Sequence, residues 1–111
     1  MEENLGTIRV SPQVIAAIVA LSAVSVPGVA WLNAHTAGQP RPLRATEELS
    51  RAARVNVHSG AVQAEVYLTV ERGTNMTQVG ANVQREVGEA IQRTLGLDVR
   101  AVNVYIVDVV R

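Results

Sequence analysis

Between residues 55 and 110 the spacing of apolar side chains changes from every second residue to a helical stripe and back again, which predicts strand, strand, helix, strand. Val62, Ala64, Val66, Leu68 and Val70 alternate with Gln63, Glu65, Tyr67, Thr69 and Glu71, the pattern of a strand with one face in a core. Met76, Val79, Val83, Val87 and Ile91 then fall on one side of a helix. Residues 97–107 return to β-branched and alternating side chains. The punctuation agrees with the periods. Ser59-Gly60 is a two-residue hairpin turn between a strand over 54–58 and the long strand after it. Asn75 with Gln78 three residues later predicts a capping box at the helix start. Gly96 predicts a left-handed stop at its end, with Leu97 folding back on Ile91.

Upstream, residues 5–10 alternate in the same way, with Ile8 and Val10 on one face and Thr7 and Arg9 on the other, and predict a first strand. Ser11-Pro12 then opens a helix: the serine caps free N–H groups, the proline suits the first helical position, and Val10 is placed to pack on Ile15. Val26-Pro27-Gly28 ends that helix. Residues 29–34 predict a short strand, residues 35–46 a proline-punctuated loop, and residues 46–51 a short helical turn. The expected fold is α/β, an α+β two-layer sandwich: a mostly antiparallel sheet of about five strands covered on one face by two main helices. A chain of 111 residues fits a single domain over 1–111 and buries about two thirds of its unfolded surface without staples.

Several chemistries are disfavoured by composition. There is no cysteine, hence no disulfide framework, thiolate metal site or thiol nucleophile. Ten basic residues, all arginine, balance ten acidic ones, which argues against a whole-domain footprint for nucleic acid or an anionic membrane. The apolar run over 14–24 is shorter than the roughly 20 residues a membrane span needs, and the start Met1-Glu2-Glu3 lacks the positive charge of a secretory signal. It reads as a core helix of a cytoplasmic protein, which would reach a membrane only peripherally, through a partner.

No residue set for catalysis, cofactor or metal emerges. His35 and His58 lack ligand spacing to each other or to a carboxylate, no nucleophile elbow is present, and Asp98 and Asp108 belong to the last strand. Gly73-Thr74-Asn75 before a helix resembles an anion site only weakly, since the chain has no lysine and Asn75 occupies those N–H donors itself. Arg41, Arg44, Arg51 and Arg54 form the one basic cluster, tempered by Glu47 and Glu48. It is a candidate partner or anion loop, and the alternative to a scaffold is a regulatory nucleic-acid-binding or enzyme-binding module using residues 41–54. Nucleic acid is disfavoured because no stacking aromatic lies inside the cluster. The first helix carries Val14, Ile18 and Leu21 on one face and Ile15, Val19 and Ser22 on the next, with alanines filling most of the rest. A helix apolar on most of its circumference is covered on more than one side, so Ile15, Val19 and Ser22 are a candidate self-association or partner surface. The competing account has the alanines facing solvent and the second helix packing alongside through Gly80 and Gly88.

Three segments together are similar to the alkaline shock protein family of bacterial envelope stress response proteins. They are Gly6-Thr7-Ile8-Arg9-Val10-Ser11-Pro12-Gln13-Val14-Ile15-Ala16, then Val26-Pro27-Gly28-Val29, then Glu71-Arg72-Gly73-Thr74-Asn75-Met76 continuing through Val83-Gln84 to Gly96-Leu97-Asp98-Val99-Arg100-Ala101-Val102-Asn103-Val104. The resemblance spans nearly the whole chain and rests on the order and spacing of the segments. It implies a small, non-enzymatic cytoplasmic protein of cell-envelope homeostasis and stress response. Such a protein would act as a self-associating scaffold or adaptor, partnered by itself as homo-oligomer or polymer and by a membrane-anchored protein. It carries no catalytic residue over. Residues 37–54 depart from it, being rich in proline and arginine where relatives carry glycine and lysine, and such loops commonly hold binding specificity.

Overall fold

The computed structural model describes residues 5–34 and 50–111. Its elements are helix α1 (Pro12–Val24), strand β1 (Val29–Leu32), a 3-10 turn (Ser50–Ala52), strands β2 (Ala53–His58) and β3 (Ala61–Val70), helix α2 (Met76–Leu95) and strand β4 (Asp98–Val109). β3 is the spine. β1 and β2 both pair with it antiparallel, β2 along its first half and β1 along its last residues, while β4 runs parallel along its other side. Two of the three ladders are antiparallel, as the sequence predicts, and the third is a β3-α2-β4 crossover, in which a helix carries the chain back to the same end of the sheet.

Among the described residues the sheet has four strands rather than about five, because residues 5–10 form none. Alternation records that a segment can pair, and pairing still needs an edge within reach. Here Val10 leads straight into the cap, and Ser11 is held extended (φ −69°, ψ 149°) before Pro12, as the residue preceding a proline is. The segment leaves from the end of α1 and ends with Leu5 89% and Ile8 94% exposed.

Elsewhere the local signals hold. The Ser11 hydroxyl accepts the Val14 N–H at 3.2 Å. The Asn75 side chain accepts the Gln78 N–H at 3.0 Å. The capping box is only half built, since the Gln78 side chain reaches forward to Asn82 at 3.1 Å instead of back to Asn75. Ser59 and Gly60 both have positive φ, 52° and 76°, as a primed hairpin turn requires. Gly96 ends α2 in the left-handed region (φ 66°), its N–H donating to the Gln92 carbonyl. Leu97 packs against the core.

One layer of side chains forms that core. Val62, Ala64, Val66, Leu68 and Val70 of β3 are fully buried beneath the helices, joined by Val79, Val83, Val87 and Ile91 of α2 and by Ile15, Val19, Ala20 and Ala23 of α1. The two helices also touch one another, but not by way of glycines: a methyl group at Gly80 or Gly88 would meet nothing within 4 Å. The tight approach is at Gly28 (φ +98°), where an added Cβ would stand 2.6 Å from Val79 Cγ2.

Candidate interaction surface

The first helix divides its apolar residues between two tasks. Ile15 is 3% and Val19 0% exposed, both inside the monomer's own core, and Ser22 is half-buried with its hydroxyl donating to the Ile18 carbonyl at 2.7 Å. Ile15, Val19 and Ser22 therefore do not form a partner surface, which corrects the sequence assignment. Helical periodicity finds two apolar faces, and only the position of the sheet says which turns inward. The outward one carries Val14 (49% exposed) and Leu21 (47%). Leu5, Ile8 and Val10 of the preceding segment, the N-terminal arm, are exposed as well. Sequence reading missed the arm because it assigned residues 5–10 to the sheet. Its one usable signal was the direct junction of the alternating segment with the Ser11-Pro12 cap.

A groove of about 480 Å3 separates the arm from the body of the domain. Ile8, Arg9 and Val10 form one wall, and Ile15, Val57, Leu95 and Leu97 belong to the other. It is predominantly apolar, and Val57 at the end of β2 is itself exposed.

The second face is the uncovered side of the sheet. Register puts Arg54 opposite Glu65, Asn56 opposite Gln63, Tyr67 beside Tyr105 and Trp31 beside Thr69. All three aromatic residues of the chain thus stand on one side. Tyr67 and Tyr105 stack with centroids 4.8 Å apart and an interplanar angle of 15°, a contribution of about 1 kcal/mol beyond area burial. Beside them the Thr69 hydroxyl donates to Asn33 Oδ1 at 2.9 Å, both residues buried. Periodicity places Tyr67 on this face, but Tyr105 comes opposite it through the register shift in the β3–β4 ladder at Val62/Gln63, which no local pattern reveals.

The arginine cluster is only partly within the described residues. Arg41 and Arg44 lie outside them, Arg51 is exposed in the 3-10 turn, and Arg54 is exposed on the open sheet face. Arg54 shares a shallow recess of about 270 Å3 with Asn56, Gln63 and Glu65, so an acid stands beside it and the recess is not a purely cationic one. His35 also lies outside the described residues, and His58 is exposed at the end of β2. Among the described residues no His, Cys, Asp and Glu side chains gather as a metal would need, and no helix is long and apolar enough to cross a membrane.

The model of the alkaline shock protein family, described as having a cell envelope-related function, matches residues 1–111. The chain belongs to that family. An uncharacterized Bacillus subtilis protein, YloU, is 33% identical over 109 residues, covering 96% of this chain and 90% of its own. A Streptococcus pyogenes protein, Spy1614, also uncharacterized, is 28% identical over 103 residues, covering 91% of this chain and 85% of its own. Among solved structures, a MamM CTD variant superposes with a TM-score of 0.51 at 13% identity, covering 85% of this chain and 92% of that one. A zinc form of that domain gives 0.50 at 13% identity, with 85% and 81% covered. At such identity the likeness concerns the fold. Membership gives this alkaline shock family protein a cell envelope-related function, matching the resemblance seen in the sequence.

Proposed function

We propose that this alkaline shock family protein is a non-enzymatic scaffold of the cell envelope, which self-associates and docks on a membrane-anchored partner as part of a stress response. The observation that carries the proposal is the set of large apolar side chains left outside the core: Leu5, Ile8, Val10, Val14 and Leu21 remain exposed although the helices and sheet have already buried their facing layers. Large apolar side chains left exposed on neighbouring segments of a folded domain point to an interaction site where they gather into a patch. The cell envelope-related function of the family supports a partner held at the membrane.

The test is mass by light scattering across a concentration series, for the native chain and for a Val14→Glu/Leu21→Glu variant. The native mass is expected to rise above one protomer with concentration. The variant, altered only at exposed positions, is expected to keep its melting temperature and lose the rise. A native chain that stays at one protomer throughout would refute self-association.

A further inference from the structure

We infer that the outer edge of β4 is a two-fold seam, along which two copies of this chain pair β4 to β4, antiparallel about Val104. This adds a second surface to the self-association just proposed and rests on that reading only for growth beyond two copies. β4 pairs with β3 along one side and has no second ladder among the described residues. From α2, Gln84 Nε2 donates to the Val102 carbonyl at 3.1 Å. That bond marks the Val102 backbone as turned outward, and alternation turns the N–H and C=O groups of Val104 and Ile106 the same way. Such a row is a template for another strand.

The outward stretch is regular, and its ends are charged. The β3–β4 register runs one-to-one from Ala101 to Ile106, with a shift on either side at Val62/Gln63 and Leu68/Thr69. Ala101-Val102-Asn103-Val104-Tyr105-Ile106 carries no charge and no proline, the composition of a segment that pairs readily. Outside it stand Arg100 and Asp108, both exposed. Charges at an edge ordinarily discourage pairing, but these two are opposite in sign and equally far along the chain from Val104. Antiparallel pairing about Val104 sets Arg100 of each copy against Asp108 of the other, whereas parallel pairing sets like charge against like.

The faces agree with that register. Val102, Val104 and Ile106 lie on the core side, opposite Ala64, Val66 and Leu68 of β3. Across the seam Val102 meets Ile106 and Val104 meets Val104, all on that side, while Asn103 meets Tyr105 on the open side. The first kind are the hydrogen-bonded pairs, since their backbone groups point outward. Between α2 and β4 runs a shallow groove of about 360 Å3, lined by Met76, Gly80, Ala81, Gln84, Val104 and Ile106. Its helix wall is low, since a methyl group at Gly80 would meet nothing within 4 Å, so a second α2 can lie alongside. A second copy is the occupant because the edge is complementary to itself in charge, face and register. A two-fold seam closes at two copies, and the exposed apolar residues of the arm and α1, on other elements, join such pairs into longer assemblies.

Charge reversal tests the register. Arg100→Asp and Asp108→Arg are made separately in the Val14→Glu/Leu21→Glu chain, which the seam alone is expected to hold at two protomers by light scattering. Each reversal sets like charges together at both ends and should raise the concentration of half-pairing about tenfold or more. Mixing the two variants restores opposite charges at both ends, so the mixture should pair as their parent does. A mixture that pairs no better than its components would overturn the seam. The chain has no cysteine, so disulfide trapping in the otherwise native protein has no background. Asn103→Cys and Tyr105→Cys, mixed under mild oxidation, would face one another across a non-hydrogen-bonded pair with Cα atoms about 4.5 Å apart, within disulfide reach. A mixed disulfide should form in preference to either homodimer, and equal yields of all three, or none, would overturn the register. A Val14→Glu/Leu21→Glu chain that stays at one protomer while the native mass rises would remove the seam and leave self-association standing. A native mass fixed at one protomer would remove both and leave the edge to a strand of a different protein.

Discussion

Val19→Ala separates core from interface on the first helix, and its cost follows from the packing. Val19 is fully buried against the sheet and α2. Truncation removes two methyl groups, about 1.6 kcal/mol at roughly 0.8 kcal/mol per buried carbon, and the cavity left behind adds to that because tight surroundings relax only partly. A total of about 2–3 kcal/mol is expected. At about 4 °C per kcal/mol for a domain near 100 residues, the melting temperature falls by roughly 8–12 °C. The matched control is Val14→Ala, on the same helix and half exposed, which should cost less than about 0.5 kcal/mol. Urea unfolding at a dilution where light scattering reports a single protomer measures both, and an unchanged m value is required for the comparison. If Val19→Ala costs less than about 0.5 kcal/mol and instead lowers the assembled mass, Val19 is an interface residue and α1 does not pack on the sheet through it.

Three further outcomes are expected. Thr69→Val removes the donor to Asn33 Oδ1 while keeping the shape, and leaving that buried acceptor unpaired should cost about 1–2 kcal/mol; a double-mutant cycle with Asn33→Ala should show coupling of similar size, and additivity within about 0.3 kcal/mol would refute the pairing. Gly28→Ala places a Cβ against Val79 Cγ2 at a φ of +98°, and the combined backbone and overpacking penalties of about 3 kcal/mol should appear as a lower urea midpoint, whereas Gly80→Ala, with open space and helical backbone, should be neutral or stabilising. Asn75→Ala deletes the oxygen that accepts the Gln78 N–H and should cost about 1 kcal/mol, read as faster hydrogen exchange in the first turn of α2; unchanged exchange there would show that the cap contributes nothing.

Local chemistry alone determined most of the elements. The caps at Ser11 and Asn75, the Ser59-Gly60 turn, the left-handed stop at Gly96 and the alternation of β3 are each decided within a few residues, because they express backbone conformations and face periods that need no distant partner. Family membership was legible for a related reason: it lies in the order of those signals along the chain. The site was harder to read. Whether Ile15 and Val19 or Val14 and Leu21 face outward depends on where the sheet lies relative to α1, a relation between segments far apart in sequence. Whether residues 5–10 become a strand depends on which edge stands within reach of the end of α1. The gathering of Trp31, Tyr67 and Tyr105 on one face depends on the registers of two ladders, antiparallel to β1 and parallel to β4, each interrupted by a shift. A period says that a residue has two sides, and only the packed neighbours decide which side meets the core and which is left for a partner.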